Sequence, residues 1–236
     1  MMSCFRCGVM KRKCPYCQSE YIIKSGFTSQ NKQRFKCNEC NKKFLFFYSY
    51  RACISGLNNK IITLTKEGLG IRSTARVLRI STTTLLKRII SIANNISKPI
   101  IPLGKEYEVD EIRTFIKRKD KHIWIVYALE KTSRKVVSFY VGSRTNKTLN
   151  VVLKSLNFAK AKHIFTDRLK QYKYLIDDKI HKTIRFGTNH IERKNLTLRT
   201  HLKRLNRRTI CFSRSYRILN SLLKIYFWNE KQLIYC

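Results

Sequence analysis

Acidic residues are scarce. The chain holds 14 Asp and Glu against 50 Lys and Arg, a formal net charge of +36. So basic a chain repels itself unless it meets a polyanion, and phosphate backbones are the usual one. Long apolar runs are missing too. No stretch of about 18 apolar residues is present, which excludes a helical membrane span. The first residues, MMSCFRCGVMKRKC, carry no apolar signal core. A cytoplasmic protein is expected. No basic amphipathic helix or lipidation motif favours a membrane as the polyanion. The 43% hydrophobic content of 236 residues suffices for one full core and one or two small modules.

Cysteine, by contrast, is plentiful, and its spacing is informative. Six of the 9 form Cys-x-x-Cys pairs: Cys4/Cys7, Cys14/Cys17 and Cys37/Cys40. In a cytosolic protein this spacing means metal more often than disulfide. Each such turn offers two sulfurs to one side of a tetrahedral ion. CPYC and CNEC bracket two strand-like runs, Glu20 to Lys24 and Gln33 to Lys36, and the aromatic run Lys43 to Tyr48 follows. Residues 13–48 therefore read as a zinc ribbon, with Cys14, Cys17, Cys37 and Cys40 as ligands of a structural Zn²⁺. Cys4 and Cys7 compete for that metal, add a second site, or belong to a disordered extension over residues 1–12. The last is preferred. Cys53, Cys211 and Cys236 read as ordinary thiols.

Residues 57–93 change to helical periodicity: Ile61, Ile62 and Leu64, then Ala75, Val77 and Leu78, then Leu85, Leu86 and Ile89. Gly68 and Gly70 end the first helix, and Ser73 and Ser81 stand where N-caps belong. Three short helices with tight turns describe a helix-turn-helix. Its last helix, Ser81 to Ala93, would present Thr82, Thr83, Thr84, Lys87 and Arg88 to a DNA major groove. The competing reading is a plain bundle with a solvated basic face.

Asn94 to Gly104, with Pro99 and Pro102, reads as a linker. Residues 105–236 read as strands Tyr107 to Ile116, His122 to Leu129 and Lys135 to Val141, then a helix from Asn146 to Leu156. A buried strand, Ala161 to Thr166, comes next. A weak helix follows at Gln171 to Asp178, with a further strand at Thr183 to Phe186. Long helices over His190 to Leu205 and Ser213 to Asn229 complete the α/β layout. Its hairpin-linked first strands predict a mixed sheet.

Three acids stand out against the basic background. Asp110 lies mid-strand among apolar residues in EYEVDEIRTFI, where a carboxylate is costly unless it is paired or holds a cation. Asp167 follows a buried strand at its C-terminal end, where ligand sites gather in α/β sheets. Glu192 opens a long helix. Together these can hold two Mg²⁺ (or Mn²⁺) ions through hard oxygen ligands. Glu108 shares the strand face of Asp110, whereas Glu111 alternates to the other face. Asn195 and Arg199 share the helical face of Glu192, the first to orient it and the second to hold phosphate. Arg193 and Lys194 add cations beside it. For any one carboxylate, a surface ion pair is the competing reading.

The order CPYC…CNEC, GLGIRSTARVLRISTTTLLKRI, EVDEIRTFI, FTDRLKQY and NHIERKNLTLRTHLKRLNRRTICFSRS resembles the insertion-sequence-one family of bacterial transposases. The resemblance runs from about Cys14 onward. It implies a ribonuclease-H-like catalytic domain with a DDE triad falling on Asp110, Asp167 and Glu192. It also implies binding to the terminal inverted repeats of a mobile element, 3′-end cleavage, and strand transfer into target DNA. The partner would be double-stranded DNA, the assembly a homodimer or larger, and the setting the prokaryotic nucleoid. Where members arise by frameshift fusion, the join here would lie near Asn94 to Gly104. Two positions depart from the family pattern: Arg168 and Leu169 replace Gly-Trp after the second aspartate, and Arg79 replaces a Gly in the helix-turn-helix turn. Two alternatives are carried forward: an inactive repressor of the element, and a ribonuclease-H-like nuclease or resolvase that cuts without joining.

Overall fold

The structure is a computed structural model that describes residues 12–47 and 50–229. Cys4, Cys7, Tyr48 and Cys236 lie outside the described residues. The chain divides into two compact units, Met1–Ile54 and Ser55–Cys236.

The first unit is a small antiparallel sheet ordered β1 (Ile22–Phe27), β2 (Gln33–Cys37), β3 (Lys43–Phe44). So few residues bury little apolar surface. The core is Cys14, Cys37 and Phe44, with Ile22, Phe35 and Phe46 partly buried around it. A core of that size does not hold a fold without a staple.

The second unit opens with three helices, α1 (Leu57–Lys66), α2 (Ile71–Leu78) and α3 (Thr82–Asn94). Ser81 caps α3 as expected, its hydroxyl accepting from the Thr84 N–H at 3.1 Å. Ser73 does not cap α2. The helix starts earlier, after Gly70, because Ile71 supplies the first helical turn and leaves Ser73 inside it. Arg79 ends α2 at φ 52°, in the left-handed region that glycine fills without a Cβ penalty.

The rest is a sheet ordered β6–β5–β4–β7–β8. Its first three strands are β4 (Glu106–Ile116), β5 (Arg118–Glu130) and β6 (Val136–Gly142), paired antiparallel. A crossover through α4 (Asn146–Phe158) leads to β7 (His163–Phe165), which lies parallel to β4. The helix α5 (Lys170–Leu175) then leads to β8 (His181–Lys182), parallel to β7. Three antiparallel strands followed by two parallel ones make the mixed sheet of a ribonuclease-H-like α/β domain.

Strand alternation sorts the side chains into two cores. Tyr107, Val109, Val126 and Ala128 meet α4 through Leu149, Val152, Leu153 and Leu156, and α5 through Tyr172. On the other face, Ile112, Ile125, Tyr127 and Leu129 meet α6 (Asn189–His201) and α7 (Tyr216–Trp228) through Ile191, Leu198, Leu219 and Leu223.

Two expectations change here. Thr183 to Phe186 is not a strand. Pairing with β7 stops at Lys182, because β7 itself ends at Phe165 and offers no further partner. The helix expected to reach Leu205 ends at His201 and tightens into a 3-10 turn, Lys203–Leu205. Tyr226, Phe227 and Trp228 pack, partly buried, against this core: Phe227 stacks on Tyr127 at 5.7 Å, and the Trp228 indole donates to the Val136 carbonyl.

The helices α1 and α3 lie against α7, so they belong to the same unit as the sheet. The α1–α2 turn also abuts the C-terminus of α6. Gly68, at φ +78°, would place a Cβ 1.9 Å from the His201 carbonyl oxygen. Gly68→Ala is therefore expected to cost at least about 2 kcal/mol, through both the left-handed backbone and overpacking against main chain. A lower urea midpoint with an unchanged slope would register it.

Candidate active site and metal centres

The sheet topology brings two of the acids together. Parallel pairing of β4 with β7 ends at Glu108 opposite Phe165. Two residues further along each chain stand Asp110 and Asp167, level with one another at the C-terminal end of β7. Because β7 stops while β4 continues, the edge of β4 lies open there. One ligand oxygen from each of Asp110, Glu111 and Asp167 falls within 4.8 Å of the others.

The surroundings of Asp110 are built from α6 and β5. Asn195 Nδ2 donates to Asp110 Oδ2 at 2.5 Å, and the Glu111 N–H donates to Oδ1 at 2.7 Å. Tyr127 in turn holds Asn195, its hydroxyl donating to Oδ1 at 2.6 Å. Asn195 thus orients Asp110, whereas the helical spacing alone had suggested Glu192. Burial raises the Asp110 carboxyl to about 6; the two donors oppose this, and the charges of Asp167 and Glu192 add to it. Glu111, on the other face, accepts from the Tyr172 hydroxyl at 2.8 Å. Burial raises it to about 7, with Tyr172 opposing and Asp110 adding.

Glu192 stands apart from this cluster. It is exposed in the first turn of α6 and accepts from the Thr188 hydroxyl at 2.8 Å. It is close enough for its charge to act on Asp110. Glu108 does not face the cluster openly. Its side chain is fully buried, and its two oxygens accept from the Ile191 N–H and His190 Nδ1, both at 2.7 Å. That carboxylate fixes the start of α6, and with it the direction from which Glu192 approaches.

The DNA-contact residues named from sequence fall in different settings. Thr82, Thr83 and Lys87 are exposed on α3, with Thr84 and Arg88 half-buried, while Leu85 and Ile89 face inward. Arg193 is exposed, and Lys194 is half-buried with its ammonium held below its usual range by burial. Arg199 turns back to its own chain, donating to the Leu205 carbonyl at 2.9 Å.

Sequence reasoning missed Tyr127, Tyr172 and the nearness of Glu111. The alternation that put Glu111 on the opposite face was right. It does not separate Glu111 from Asp110 at a strand edge, where both faces open onto one space.

In the first unit the four cysteines Cys14, Cys17, Cys37 and Cys40 offer sulfurs all within 4.8 Å of one another. Cys14 and Cys40 sulfurs are 3.7 Å apart, Cys17 and Cys37 sulfurs 3.5 Å. Disulfides need about 2.05 Å. A tetrahedron with metal–sulfur bonds of about 2.3 Å has edges of about 3.8 Å, so the set fits a tetrahedral thiolate ion. The Cys40 backbone N–H aimed at Cys37 brings that thiol down to about 6, the direction a metal ligand requires.

The carboxylate cluster likewise fits a hard divalent cation by donor type and spacing. No helix among the described residues is long and apolar enough to cross a membrane.

Comparison with known proteins agrees with this architecture. The family described as IS1 transposase matches residues 106–233. The family described as InsA C-terminal domain matches residues 48–91. The InsB protein of insertion element iso-IS1n from Shigella dysenteriae is 34% identical over 128 residues, covering 54% of this chain and 96% of that protein. The IS1 InsB protein of Shigella flexneri is 33% identical over 119 residues, covering 50% of this chain and 91% of its own length.

Among solved structures, a simian T-cell lymphotropic virus intasome chain aligns at 16% identity with TM-score 0.37, over 69% of this chain and 66% of its own. The HTLV-2 integrase catalytic core aligns at 15% and TM-score 0.31, over 54% of this chain and 86% of its own. Superpositions that loose carry no conclusion. The sequence matches do: with more than half of its length inside one family and nearly whole relatives covered, this chain belongs to the IS1 transposase family.

Proposed function

We propose that the protein is a DDE transposase that binds the terminal inverted repeats of its element, cleaves their 3′ ends and joins them to target DNA. The observation that carries this reading is the convergence of Asp110 and Asp167 at the open end of β7, with Glu192 approaching on α6. These three carboxylates hold the catalytic Mg²⁺ or Mn²⁺. Such ions, when bound, would supply Lewis-acid chemistry, making a water or 3′-hydroxyl more nucleophilic and offsetting charge on the leaving oxygen.

The chain's own residues prepare that site. Tyr127 and Asn195 lock the Asp110 rotamer, and Glu108 anchors the helix that carries Glu192. Residues 57–93 form the DNA-binding helix-turn-helix, with Thr82, Thr83, Thr84, Lys87 and Arg88 toward the groove. Arg193, Lys194, Asn195 and Arg199 border the DNA beside the scissile phosphate, Arg199 once it leaves the Leu205 carbonyl that it holds in the free chain. Of these, Asn195 acts chiefly through Asp110. Residues 13–48 form a zinc ribbon whose four thiolates leave no open position, so its Zn²⁺ is structural. Holding two element ends at once calls for a homodimer or larger assembly in the cytoplasm, at the nucleoid.

Joining of a pre-cut terminal-repeat oligonucleotide to plasmid DNA, with Mg²⁺ or Mn²⁺, tests the reading. The parent is expected to join, and Glu192→Gln to bind the repeat but not join it. Binding without metal-dependent chemistry in the parent would point to a repressor. Cleavage without joining would point to a nuclease.

A further inference from the structure

We infer that Glu111 is a fourth carboxylate of the catalytic centre and a direct ligand of its divalent metal, reaching it from the sheet face opposite Asp110. This rests on the reading of Asp110 and Asp167 as metal ligands.

Three observations carry it. The first is position. Glu111 follows Asp110 on the part of β4 that outruns β7, where the pairing has ended at Glu108 and Phe165. Neighbours on a strand point to opposite faces, and a covering strand would keep them in separate spaces. With that edge open, an oxygen of each reaches the same volume within 4.8 Å of Asp167.

The second is preparation. The Glu111 side chain is 2% exposed. A carboxylate is not buried so deeply without a partner. The Tyr172 hydroxyl donates to Oε1 at 2.8 Å and fixes the rotamer while Oε2 takes no hydrogen bond from it. Tyr172 is itself fully buried in the α4–α5 core, so this support is rigid. A metal ligand held by a buried hydrogen-bond donor is the usual arrangement of a preformed site.

The third is charge. Beside Glu111 stands the Arg144 guanidinium, with Nη2 3.8 Å from Oε2 and Cζ 4.5 Å from the Trp124 ring centroid. Three carboxylates crowd together there, and Arg144 beside Glu111 and Arg199, which interacts with Asp110, offset them only in part. A divalent cation would relieve the crowding. Glu192 does not relieve it, being acidic itself, and it lies outside the tight cluster with its own partner in Thr188.

Mn²⁺ binding to the zinc-loaded full-length chain, followed by electron paramagnetic resonance without DNA, tests this apart from turnover. The parent is expected to bind, and Asp110→Asn to lose that binding. Glu111→Gln is expected to weaken Mn²⁺ by about tenfold or more, the scale on which disturbing a metal's protein shell is felt. Glu111→Asp keeps the charge but withdraws the oxygens, and is expected to weaken it too. A role in charge balance alone predicts parent-like affinity for the Asp variant and would overturn the inference. So would parent-like affinity in Glu111→Gln while Asp110→Asn has lost the ion. Mn²⁺ binding that ignores Asp110→Asn would instead remove the reading of the centre itself. Tyr172→Phe is expected to produce a smaller loss in the same direction.

Discussion

Asp110→Asn is expected to lower strand joining by about a thousandfold or more while leaving repeat binding intact. That loss corresponds to about 4 kcal/mol of transition-state stabilisation. The size follows from placement. Asp110 is the carboxylate held by the most donors in the centre, with Asn195, Tyr127 behind it and the Glu111 N–H. An amide in its place keeps the shape and nearly the volume. It removes the negative charge and turns one oxygen into a donor, which repels a cation. Two further consequences make the result specific. With the new side chain's oxygen accepting from the Glu111 N–H, its NH₂ would face Asn195, and the bonds are kept if Asn195 flips to accept while Tyr127 accepts from it and donates to the Ile191 carbonyl. The helix-turn-helix residues Thr82, Thr83 and Lys87 lie on a separate, exposed helix face and are untouched. Gel-shift with the repeat and a joining assay on the same preparation separate the two. Joining that persists in Asp110→Asn would remove this residue from the catalytic set.

The second large effect concerns the first unit. Stripping its metal, or replacing Cys37 by Ser, is expected to unfold residues 12–47 while the second unit stays folded. The described apolar core of that unit is Cys14, Cys37 and Phe44 with a few aromatic neighbours. Two of its three fully packed members are the proposed zinc ligands themselves. Structural zinc contributes on the order of 10 kcal/mol to the folding of such small modules, more than a core of this size supplies. Cys37 is the sharpest choice because it is buried and receives the Cys40 N–H that lowers its thiol. Chelation followed by limited proteolysis would show early cuts confined to the first unit. Cobalt substitution would give the visible bands of a tetrahedral thiolate ion in the parent and lose them in Cys37→Ser. Protection of the first unit that survives chelation would overturn a structural role for the metal.

Much of this protein was legible one residue at a time. The paired cysteine spacing identified the four thiols that meet, because a Cys-x-x-Cys turn settles its geometry locally. Alternation put Glu108 on the face of Asp110 and Glu111 on the other, and helical periodicity found Leu85 and Ile89 on the inner side of α3. The Ser81 cap was equally local. Charge composition pointed to a polyanion without any fold at all.

What the sequence could not hold was register and length between strands distant in the chain. Asp110 and Asp167 are level only because β4 pairs with β7 at Glu108 and Phe165. Glu111 enters the same space only because β7 stops there, and its stopping also turned the expected strand at Thr183 to Phe186 into a loop. Asn195 went to Asp110 rather than Glu192 because α6 packs across β4 and β5, where Tyr127 receives it. The kinds of residue, and the chemistry they suit, were written in the chain. Which oxygens share one space was decided by where a strand ends, a property of the assembled sheet that no local pattern encodes.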